Sequence, residues 1–335
     1  KKNPETLAMI HMDNDGNIDK YNFDFFFFFS NRLANALVAK GVGKGDKVML
    51  ILYRRVEFWI SMLALHKIGA VAIPSPNLLT SKDIAERVGF ASIKAVIAED
   101  SVVANVEGAR PKCSGLDILI QVGKSDLLDG WEDYEKLFSA ADDTFPRPEN
   151  SPGGDDTMVV FFSSGTTGPP KMVEHTQNYP LGHVHTAVYW HNLEPGDVHL
   201  TLADTGWAKA VWGKFYGQWM ADAVVFVYDF RGAFKPAKLL EVISECKVNS
   251  FCAPPTVYRF LIQEDISKYD LSALKYCTTA GELLNDSVFH KWKEVTGMKI
   301  HEGYGQTETS LQIATFSFME PKPGSIGRPG PCWDI

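Results

Sequence analysis

The chain has 335 residues, 45% of them hydrophobic, which is enough to bury one large core or two medium ones and excludes a disordered protein or a small disulfide scaffold. Its 33 basic and 41 acidic side chains give a net charge of -8 at pH 7. No stripe of Lys and Arg stands out that could follow a phosphate backbone, so we expect no nucleic-acid partner.

The cysteines and the apolar runs of the sequence indicate in which cellular compartment the protein works. The five cysteines are odd in number, widely spaced and outside any C-x-x-C pair, which argues against a disulfide framework and a zinc site and favours a reducing compartment. No apolar run approaches the roughly 18 residues that a membrane helix needs. The sequence therefore predicts a soluble, cytoplasmic protein with no membrane span.

The first half of the chain alternates apolar strands with helices. In chain order the pattern predicts a strand VMLILY, a helix over residues 56–68, a strand AVAIPSP, a helix over 81–88 and a strand KAVIAED. This βαβ alternation is typical of a mostly parallel sheet that is covered by helices.

A polar stretch over residues 140–156, with three prolines and a Gly pair, interrupts the pattern and is typical of a linker. The alternation resumes with the strands MVVFFSS, AVVFVYD, VNSFCAPP, LKYCTTAGE and MKIHEGYG, and helices are predicted over 236–246, 257–263 and 286–296. We therefore expect an α/β domain over residues 1–335 built from two stacked lobes, roughly 1–150 and 157–335.

The segment that follows MVVFF carries the strongest chemical signal. Four hydroxyl side chains, two glycines and one lysine fall within nine residues, namely Ser163, Ser164, Gly165, Thr166, Thr167, Gly168, Pro169, Pro170 and Lys171. Glycines let backbone N–H groups converge on an anion, hydroxyls add donors, and a lysine supplies a mobile positive charge for phosphate oxygens. The composition predicts a polyphosphate-binding loop, with a flexible Ser/Gly turn as the alternative. A Walker loop would need Gly before the lysine and Ser or Thr after it, and Pro170 and Met172 stand there instead.

Two further motifs follow downstream. They are Thr279, Ala280, Gly281 and Glu282, and then Glu302, Gly303, Tyr304, Gly305, Gln306, Thr307 and Glu308. Together with the loop, and in this order, the motifs resemble the hallmarks of the adenylate-forming enzymes, which include acyl-CoA synthetases, luciferases and peptide-synthetase adenylation domains. The resemblance covers nearly the whole chain from about Asn31 and implies the large N-terminal domain of that family.

The resemblance implies a role for each motif. Residues 163–171 would hold the β- and γ-phosphates of ATP, and Lys171 with Mg²⁺ would neutralise the charge that grows on the departing pyrophosphate. Glu308 would contact the Mg²⁺, and Thr307 would donate a hydrogen bond to the α-phosphate, which makes Lys171, Thr307 and Glu308 the catalytic candidates. The other implied nucleotide-binding residues are Gly281 and Glu282 along the adenine, Tyr304 against its ring, and the neighbouring Glu302, Gly303, Gly305 and Gln306.

The residues after Lys171 indicate which branch of the adenylate-forming family the sequence resembles. The broad family usually has Gly there, whereas Met172, Val173, Glu174 and His175 resemble the medium-chain acyl-CoA synthetases, as do the segments ADTGW and APPTVYR. The resemblance therefore implies an AMP-forming ligase that activates a short- to medium-chain carboxylic acid with ATP and transfers it to coenzyme A.

The acyl pocket is the least specific part of the interpretation. The resemblance implies that Trp207 and Gly303 line it, and that the bulky Trp207, with Trp212 near it in sequence, limits the length of the acyl chain. Core packing is the alternative role for both tryptophans.

In the resembled family a smaller C-terminal domain supplies a further catalytic lysine, and this chain stops at Ile335. We therefore expect an incomplete N-terminal part that binds nucleotide and forms little acyl-CoA by itself. Two alternatives stay open. One is an amino-acid-activating adenylation domain in which Asp204 meets a substrate ammonium, and the other is a nucleotide- or acyl-binding module without turnover.

The remaining histidines and thiols carry less weight. His183 and His185 lie two residues apart with nothing nearby to complete a metal set, so we expect ordinary surface or core histidines. Cys252 and Cys277 lie in apolar strands, where burial raises the pKa of a thiol, so a covalent acyl-cysteine is not expected.

Overall fold

The computed structural model describes residues 3–163, 170–331 and 333–335. These residues form two compact units, each built on a central sheet. The first unit takes the described residues within Lys1–Thr6, Asn22–Asn178 and Asp204–Ala208, and the second takes those within Leu7–Tyr21, Tyr179–Ala203 and Lys209–Ile335.

The strands are, in chain order, β1 (Leu7–Met12), β2 (Ile18–Asn22), β3 (Lys47–Ile51), β4 (Val71–Pro74), β5 (Ala95–Glu99), β6 (Ile118–Val122), β7 (Glu132–Asp133), β8 (Thr157–Ser163), β9 (Lys171–Thr176), β10 (Val198–Thr201), β11 (Val224–Tyr228), β12 (Ser250–Cys252), β13 (Tyr276–Ala280), β14 (Ile300–Gly305), β15 (Leu311–Ala314) and β16 (Arg328–Pro329). The α-helices are α1 (Phe23–Ala39), α2 (Val56–Ile68), α3 (Ser81–Ala91), α4 (Val103–Ala109), α5 (Tyr134–Ser139), α6 (Ala208–Lys214), α7 (Tyr216–Met220), α8 (Pro236–Glu245), α9 (Pro255–Leu261) and α10 (Asp286–Thr296).

Local chemistry explains where the predicted helices begin and end. The predicted bounds of α2 and α10 are confirmed, because each helix stops at a glycine in the left-handed region, Gly69 and Gly297. Helix α3 begins at a capping box in which Thr80 and Asp83 each accept a hydrogen bond from the other's backbone N–H. It extends beyond the predicted end, because Gly89 is accommodated inside the helix, and it stops where Ser92 adopts the left-handed region.

The sheet of the first unit has the strand order β7-β6-β5-β3-β4-β8-β9. All neighbouring strands are parallel except β8 and β9, which form an antiparallel hairpin. The core on one side of this sheet joins strand residues such as Met49 and Val96 to Ile84 of α3 and Val106 of α4, all fully buried. This arrangement is the predicted α/β class, with helices against a mostly parallel sheet.

The sheet of the second unit has the strand order β16-β15-β14-β13-β12-β10-β11-β1-β2. The run from β14 to β1 is parallel, and β15 pairs antiparallel with both β14 and β16. Its main core packs Phe226 and Phe251 of the sheet against Leu239, Tyr258 and Trp292 of the flanking helices. The carboxyl ends of β12, β13 and β14 lie along the same edge, where parallel α/β sheets bind their ligands.

The division between the units differs from the predicted lobes. Residues 140–156 carry neither helix nor strand, as expected of a linker, but both of the segments that they connect belong to the first unit. Strand β8, which the sequence placed at the start of the second lobe, pairs with β4 through Ala72 and Val159 and with β9. The alternation of strands and helices predicts that a strand exists, whereas the sheet it joins is decided by non-local pairing.

No helix in the described part of the chain is long and apolar enough to cross a membrane.

Candidate active site

The ends of the predicted polyphosphate loop are fixed by a hairpin in the first unit. Strand β8 is buried along most of its length, and Ser163 at its end is the register partner of Lys171, the first residue of β9. Six of the nine candidate residues, Ser164, Gly165, Thr166, Thr167, Gly168 and Pro169, lie outside the described residues. The hairpin therefore places the two ends of the loop opposite each other.

Lys171 has the surroundings of a ligand-binding cation. Its side chain is exposed, and its ammonium makes no hydrogen bond or ion pair with any residue that the structure describes. An ammonium on a flexible stem at the mouth of a Ser/Gly loop is free to follow the oxygens of a phosphate chain.

The second motif lies at the carboxyl end of β13. Gly281 has a φ of 101°, in the region that favours glycine, and the chain bends there. The exposed carboxylate of Glu282 accepts a hydrogen bond of 2.6 Å from the hydroxyl of Thr256, the residue after the first residue of α9. The motif is thus a short loop at the carboxyl end of β13, and Thr256 holds its acidic side chain.

The glycines of the third motif face two tryptophans of the second unit. A Cβ atom on Gly303 would lie 2.5 Å from Cζ2 of Trp190, and one on Gly305 would lie 2.7 Å from Cζ3 of Trp212. Trp190 ends a single π-helical turn and donates from its indole nitrogen to the backbone oxygen of Glu302 at 3.2 Å. These glycines are therefore required by aromatic side chains that pack flat against β14.

The end of the third motif is a turn that exposes its polar side chains. Gln306 and Thr309 close the turn through a backbone hydrogen bond of 3.1 Å, and the Thr309 hydroxyl accepts from the Gln306 N–H at 2.9 Å. Thr307 and Glu308 are the central residues of this turn, and Tyr304 just before it is 39% exposed. The side chains of Tyr304 and Glu308 are exposed, and Thr307 is partly buried.

Glu308 fits the predicted contact to a magnesium ion. Its carboxylate is exposed and makes no hydrogen bond or ion pair with the described residues. Within the described ranges, no group of three or more His, Cys, Asp or Glu side chains is arranged to hold a metal. A Mg²⁺ ion at Glu308 would accordingly take most of its ligands from phosphate oxygens and water, the mode that Mg²⁺ adopts with nucleotides.

Glu302 has different surroundings, although it belongs to the same motif. It is 7% exposed, and its Oε1 accepts a hydrogen bond of 3.0 Å from the backbone N–H of Leu284. Burial raises the pKa of the Glu302 carboxyl above its ordinary value, and the Leu284 hydrogen bond partly offsets that effect. The structure thus places this carboxylate against the backbone that follows the second motif.

The ADTGW segment lies in the first unit. Asp204 forms an ion pair with the buried Arg54, and the Thr205 hydroxyl donates to the backbone oxygen of Leu52. A Cβ on Gly206 would lie 2.6 Å from Cα of Pro76, so only glycine fits there. The segment is fixed to the ends of β3 and β4, while Trp207 itself remains 52% exposed. The other tryptophan considered for the acyl pocket, Trp212, belongs to the second unit and is buried, with its indole donating to Tyr179 at 2.8 Å.

One residue beside the second motif was missed by the sequence analysis. Lys209 on α6 is largely buried, and its ammonium donates to the backbone oxygen of Ala280 at 2.7 Å. Burial lowers the pKa of this ammonium. A lysine inside the apolar run WAKAVW is the only sequence signal that could have pointed to it, and that signal is weak.

The minor candidates lie in the core. His183 and His185 are both buried, and the His185 ring lies 3.0 Å from the backbone oxygen of Leu311. Cys252 and Cys277 are buried free thiols, and burial raises the pKa of Cys277 to about 12. A thiol that resists ionisation in this way is a poor nucleophile.

Comparison with known proteins identifies the family that the motifs predicted. The profile of the family described as AMP-binding enzyme matches residues 1–335. The chain belongs to the AMP-binding enzyme family. The fold of this AMP-binding enzyme agrees, because 98% of the chain superposes with a TM-score of 0.87 and 23% identity on 60% of the crystal structure of an acyl-CoA synthetase from Brucella canis.

Similarity to individual proteins indicates the branch of the family that the chain resembles. The chain is 35% identical over 326 residues to acyl-coenzyme A synthetase ACSM3, mitochondrial, of Mus musculus, and 35% identical over 336 residues to the Homo sapiens protein of that name. A solved structure of the anthranilate CoA ligase AuaEII in complex with anthranoyl-AMP covers 97% of the chain with a TM-score of 0.88 and 25% identity. The resemblance to adenylate-forming enzymes, and within them to the medium-chain acyl-CoA synthetase-like branch, is confirmed.

Coverage of the relatives is partial. The alignment with the mouse protein includes 97% of this AMP-binding enzyme but 56% of the mouse protein. The structural superposition covers 62% of the AuaEII chain. The chain therefore spans a little over half the length of the relatives that it matches.

Proposed function

We propose that this AMP-binding enzyme is the nucleotide-binding part of an AMP-forming acyl-CoA synthetase. In the first step a substrate carboxylate oxygen attacks the α-phosphorus of ATP, an acyl-adenylate forms and pyrophosphate leaves. In the second step the thiol of coenzyme A attacks the acyl carbon, a thioester forms and AMP leaves. The relatives named as acyl-CoA synthetases, and the ligase solved with an acyl-adenylate, support this sequence of steps.

The observation that carries the proposal is the state of Lys171. An exposed ammonium without a partner among the described residues, opposite Ser163 in the β8 and β9 hairpin, is suited to neutralise the negative charge that grows on a departing pyrophosphate. Glu308 would hold the Mg²⁺ that shares this charge, because its carboxylate is also exposed and unpaired within the described residues. Thr307, in the same turn, would donate to the α-phosphate.

The adenine would lie along Gly281 and Glu282 with Tyr304 against its ring. Gly281 has no side chain to stand between the backbone and a flat base, and the 39% exposed Tyr304 offers a ring for stacking. Gly303, Gly305 and Gln306 support this arrangement from the same strand and turn. The carboxylate of Glu302 is buried, so it is not among these contacts.

The acid that we propose as substrate is short to medium in chain length. Trp207 has a half-exposed indole on a segment that is held rigidly by Arg54 and Leu52, so it can act as a wall for an acyl group. Trp190 and Trp212 fill the space beside Gly303 and Gly305 in the second unit, which leaves little room there for a long chain. Both observations favour small acids.

The structure offers little support for activation of an amino acid. That alternative needs the carboxylate of Asp204 to meet a substrate ammonium, yet this carboxylate is already paired with the guanidinium of Arg54. A substrate ammonium would have to share this carboxylate with a buried guanidinium that already balances its charge. A free carboxylic acid makes no such demand.

We further propose that the protein works in a reducing compartment, the cytoplasm in the first instance. Its described cysteines are free thiols, which agrees with that setting. The relatives named above carry the word mitochondrial, so fractionation of cells into cytosol and mitochondria would distinguish the two locations.

The direct test is ATP–pyrophosphate exchange by the full-length protein with two panels of substrates. We expect exchange with straight and branched acids of short to medium length and Mg²⁺, and only background exchange with amino acids. Exchange that depends on amino acids would contradict the acyl assignment. Nucleotide binding without exchange for any acid would favour a binding module instead.

A further inference from the structure

Two of the hallmark motifs are joined by a side chain that is hidden from solvent. Glu302 lies on β14 as the register partner of Thr279 on β13, so the motif that begins at Thr279 and the motif that begins at Glu302 start side by side. The carboxylate of Glu302 reaches past the end of β13 and accepts the backbone N–H of Leu284 at 3.0 Å. A single side chain thus connects the third motif with the backbone that follows the second.

The loop between these contacts is otherwise held at few points. Gly281 turns it with a positive φ, Glu282 is fixed through its carboxylate by Thr256, and Leu283 is 80% exposed. Leu284 is buried and precedes Asn285, the N-cap of α10. The Leu284 N–H lies inside the protein, where a donor without a partner would cost free energy, so the Glu302 acceptor determines where this end of the loop sits.

The position of Glu302 also differs from that of a ligand contact. It is 7% exposed, whereas Glu282 and Glu308 are exposed. Its backbone oxygen accepts from the indole of Trp190 and from the N–H of Thr315, so the residue is fixed on both sides of β14. A carboxylate in this setting contributes geometry to the loop and has little surface left for a nucleotide.

We infer that Glu302 is a positioning residue that sets the adenine-binding loop, residues 281–284, through its hydrogen bond to Leu284. This inference rests on the proposed function only in assigning the loop to adenine. The acceptor oxygen and its reach are what matter, and the negative charge is dispensable. Glu302 therefore acts on nucleotide binding through the backbone of the loop.

Two conservative substitutions separate reach from charge. Glu302→Gln keeps an oxygen at the same distance and removes the charge, whereas Glu302→Asp keeps the charge and withdraws the acceptor by one methylene. We expect Glu302→Gln to hold the KM for ATP within about twofold, and Glu302→Asp to raise it about five- to tenfold with little change in kcat, the effect of losing one buried hydrogen bond. Glu294→Ala, an exposed glutamate on α10, is the matched control and should change neither constant.

A second measurement does not depend on catalysis. Hydrogen–deuterium exchange in the nucleotide-free, full-length protein should be faster for peptides that contain the Leu284 amide in Glu302→Asp, by at least about fivefold, and unchanged in Glu302→Gln. Protection at α2 in the first unit should be the same in all variants, which shows that the change is local.

The outcomes are separable. If Glu302→Gln raises the KM for ATP as much as Glu302→Asp does, or if Glu302→Asp leaves exchange at Leu284 unchanged, the positioning role is wrong. If the unsubstituted protein gives no ATP–pyrophosphate exchange with any acid, the proposed function fails. Hydrogen–deuterium exchange at the Leu284 amide still decides whether Glu302 holds the loop.

Discussion

The hairpin of β8 and β9 and the edge formed by β13 and β14 both carry hallmark motifs, yet they use charged residues in opposite ways. In the hairpin, Lys171 is exposed and has no partner among the described residues. At the β13 and β14 edge, Glu282 accepts from Thr256, Glu302 accepts from Leu284, and the nearby Lys209 donates to Ala280. Glu308, in the turn after β14, differs from these three residues because it has no partner among the described residues.

The difference shows that membership in a motif does not distinguish a residue that meets the ligand from one that shapes the site. Glu302 and Glu308 are six residues apart in one motif, yet Glu302 is buried and Glu308 is exposed. An exposed charge without a partner is available to phosphate or metal, whereas a buried charge must be hydrogen-bonded within the protein. Substitutions at the two kinds of position should therefore fail in different ways.

The largest effect is expected at Lys171. In the full-length enzyme, Lys171→Ala should lower the rate of adenylate formation by roughly 10² to 10³, because it removes a cation that stabilises charge in the transition state. The thermal midpoint should stay nearly unchanged, since the side chain is exposed and has no partner among the described residues. Pyrophosphate exchange and a melting curve measure the two quantities.

Lys82→Ala is the matched control for Lys171, because Lys82 is also exposed and lies in the first unit. It should retain normal exchange. Near-normal exchange by Lys171→Ala would show that the loop does not bind the phosphates through this residue.

Glu308→Ala should have an effect of about 10² on the same rate, since the protein would lose its carboxylate contact to Mg²⁺ while phosphate oxygens still hold the ion. Part of the loss should be recovered at high Mg²⁺, which would not happen for Lys171→Ala. A Mg²⁺ titration of the exchange rate therefore separates the two exposed residues, and an unchanged Mg²⁺ dependence would remove Glu308 from the metal contact.

Gly303→Ala tests how tightly the residues at the β13 and β14 edge are packed. The added methyl would lie 2.5 Å from Trp190 and 2.9 Å from Leu311, so we expect a loss of about 1 to 3 kcal/mol in unfolding free energy. Gly89→Ala, at a position on α3 where an added Cβ meets nothing within 4 Å, should be neutral or slightly stabilising. Denaturant unfolding measures the unfolding free energy of both variants. Equal values would mean that Trp190 can move to accommodate the added methyl without loss of stability.

The smallest effect concerns acyl length. Trp207→Gly should shift the optimum of kcat/KM toward longer straight-chain acids, by about fourfold for each methylene newly buried, which follows from about 0.8 kcal/mol per methylene. The thermal midpoint should change little because the indole is 52% exposed. An unchanged profile, or a uniform loss across all acids together with lower stability, would assign Trp207 to packing alone.

Much of the fold was accessible from the sequence where the signals are local. Helices α2 and α10 were predicted to the residue because amphipathic or apolar runs end at Gly69 and Gly297. The sequence analysis missed strands β1, β2, β6, β7, β10, β15 and β16 and the short helices α4 to α7, because these segments are too short to show a clear period. Strand β9 was also missed, because it begins at Lys171, inside the segment that was interpreted as a phosphate-binding loop.

The sequence by itself determined the class of fold, the family and the identity of the motif residues, since glycines, hydroxyls and charges at fixed spacing reflect chemistry that is local to the chain. Tertiary structure alone decided that β8 joins the first sheet, that Asp204 pairs with Arg54, and that Glu302 is buried against Leu284 while Glu308 is exposed. These features depend on residues far apart in sequence, and burial, which determines the task of a charged side chain, is a property of the packed molecule.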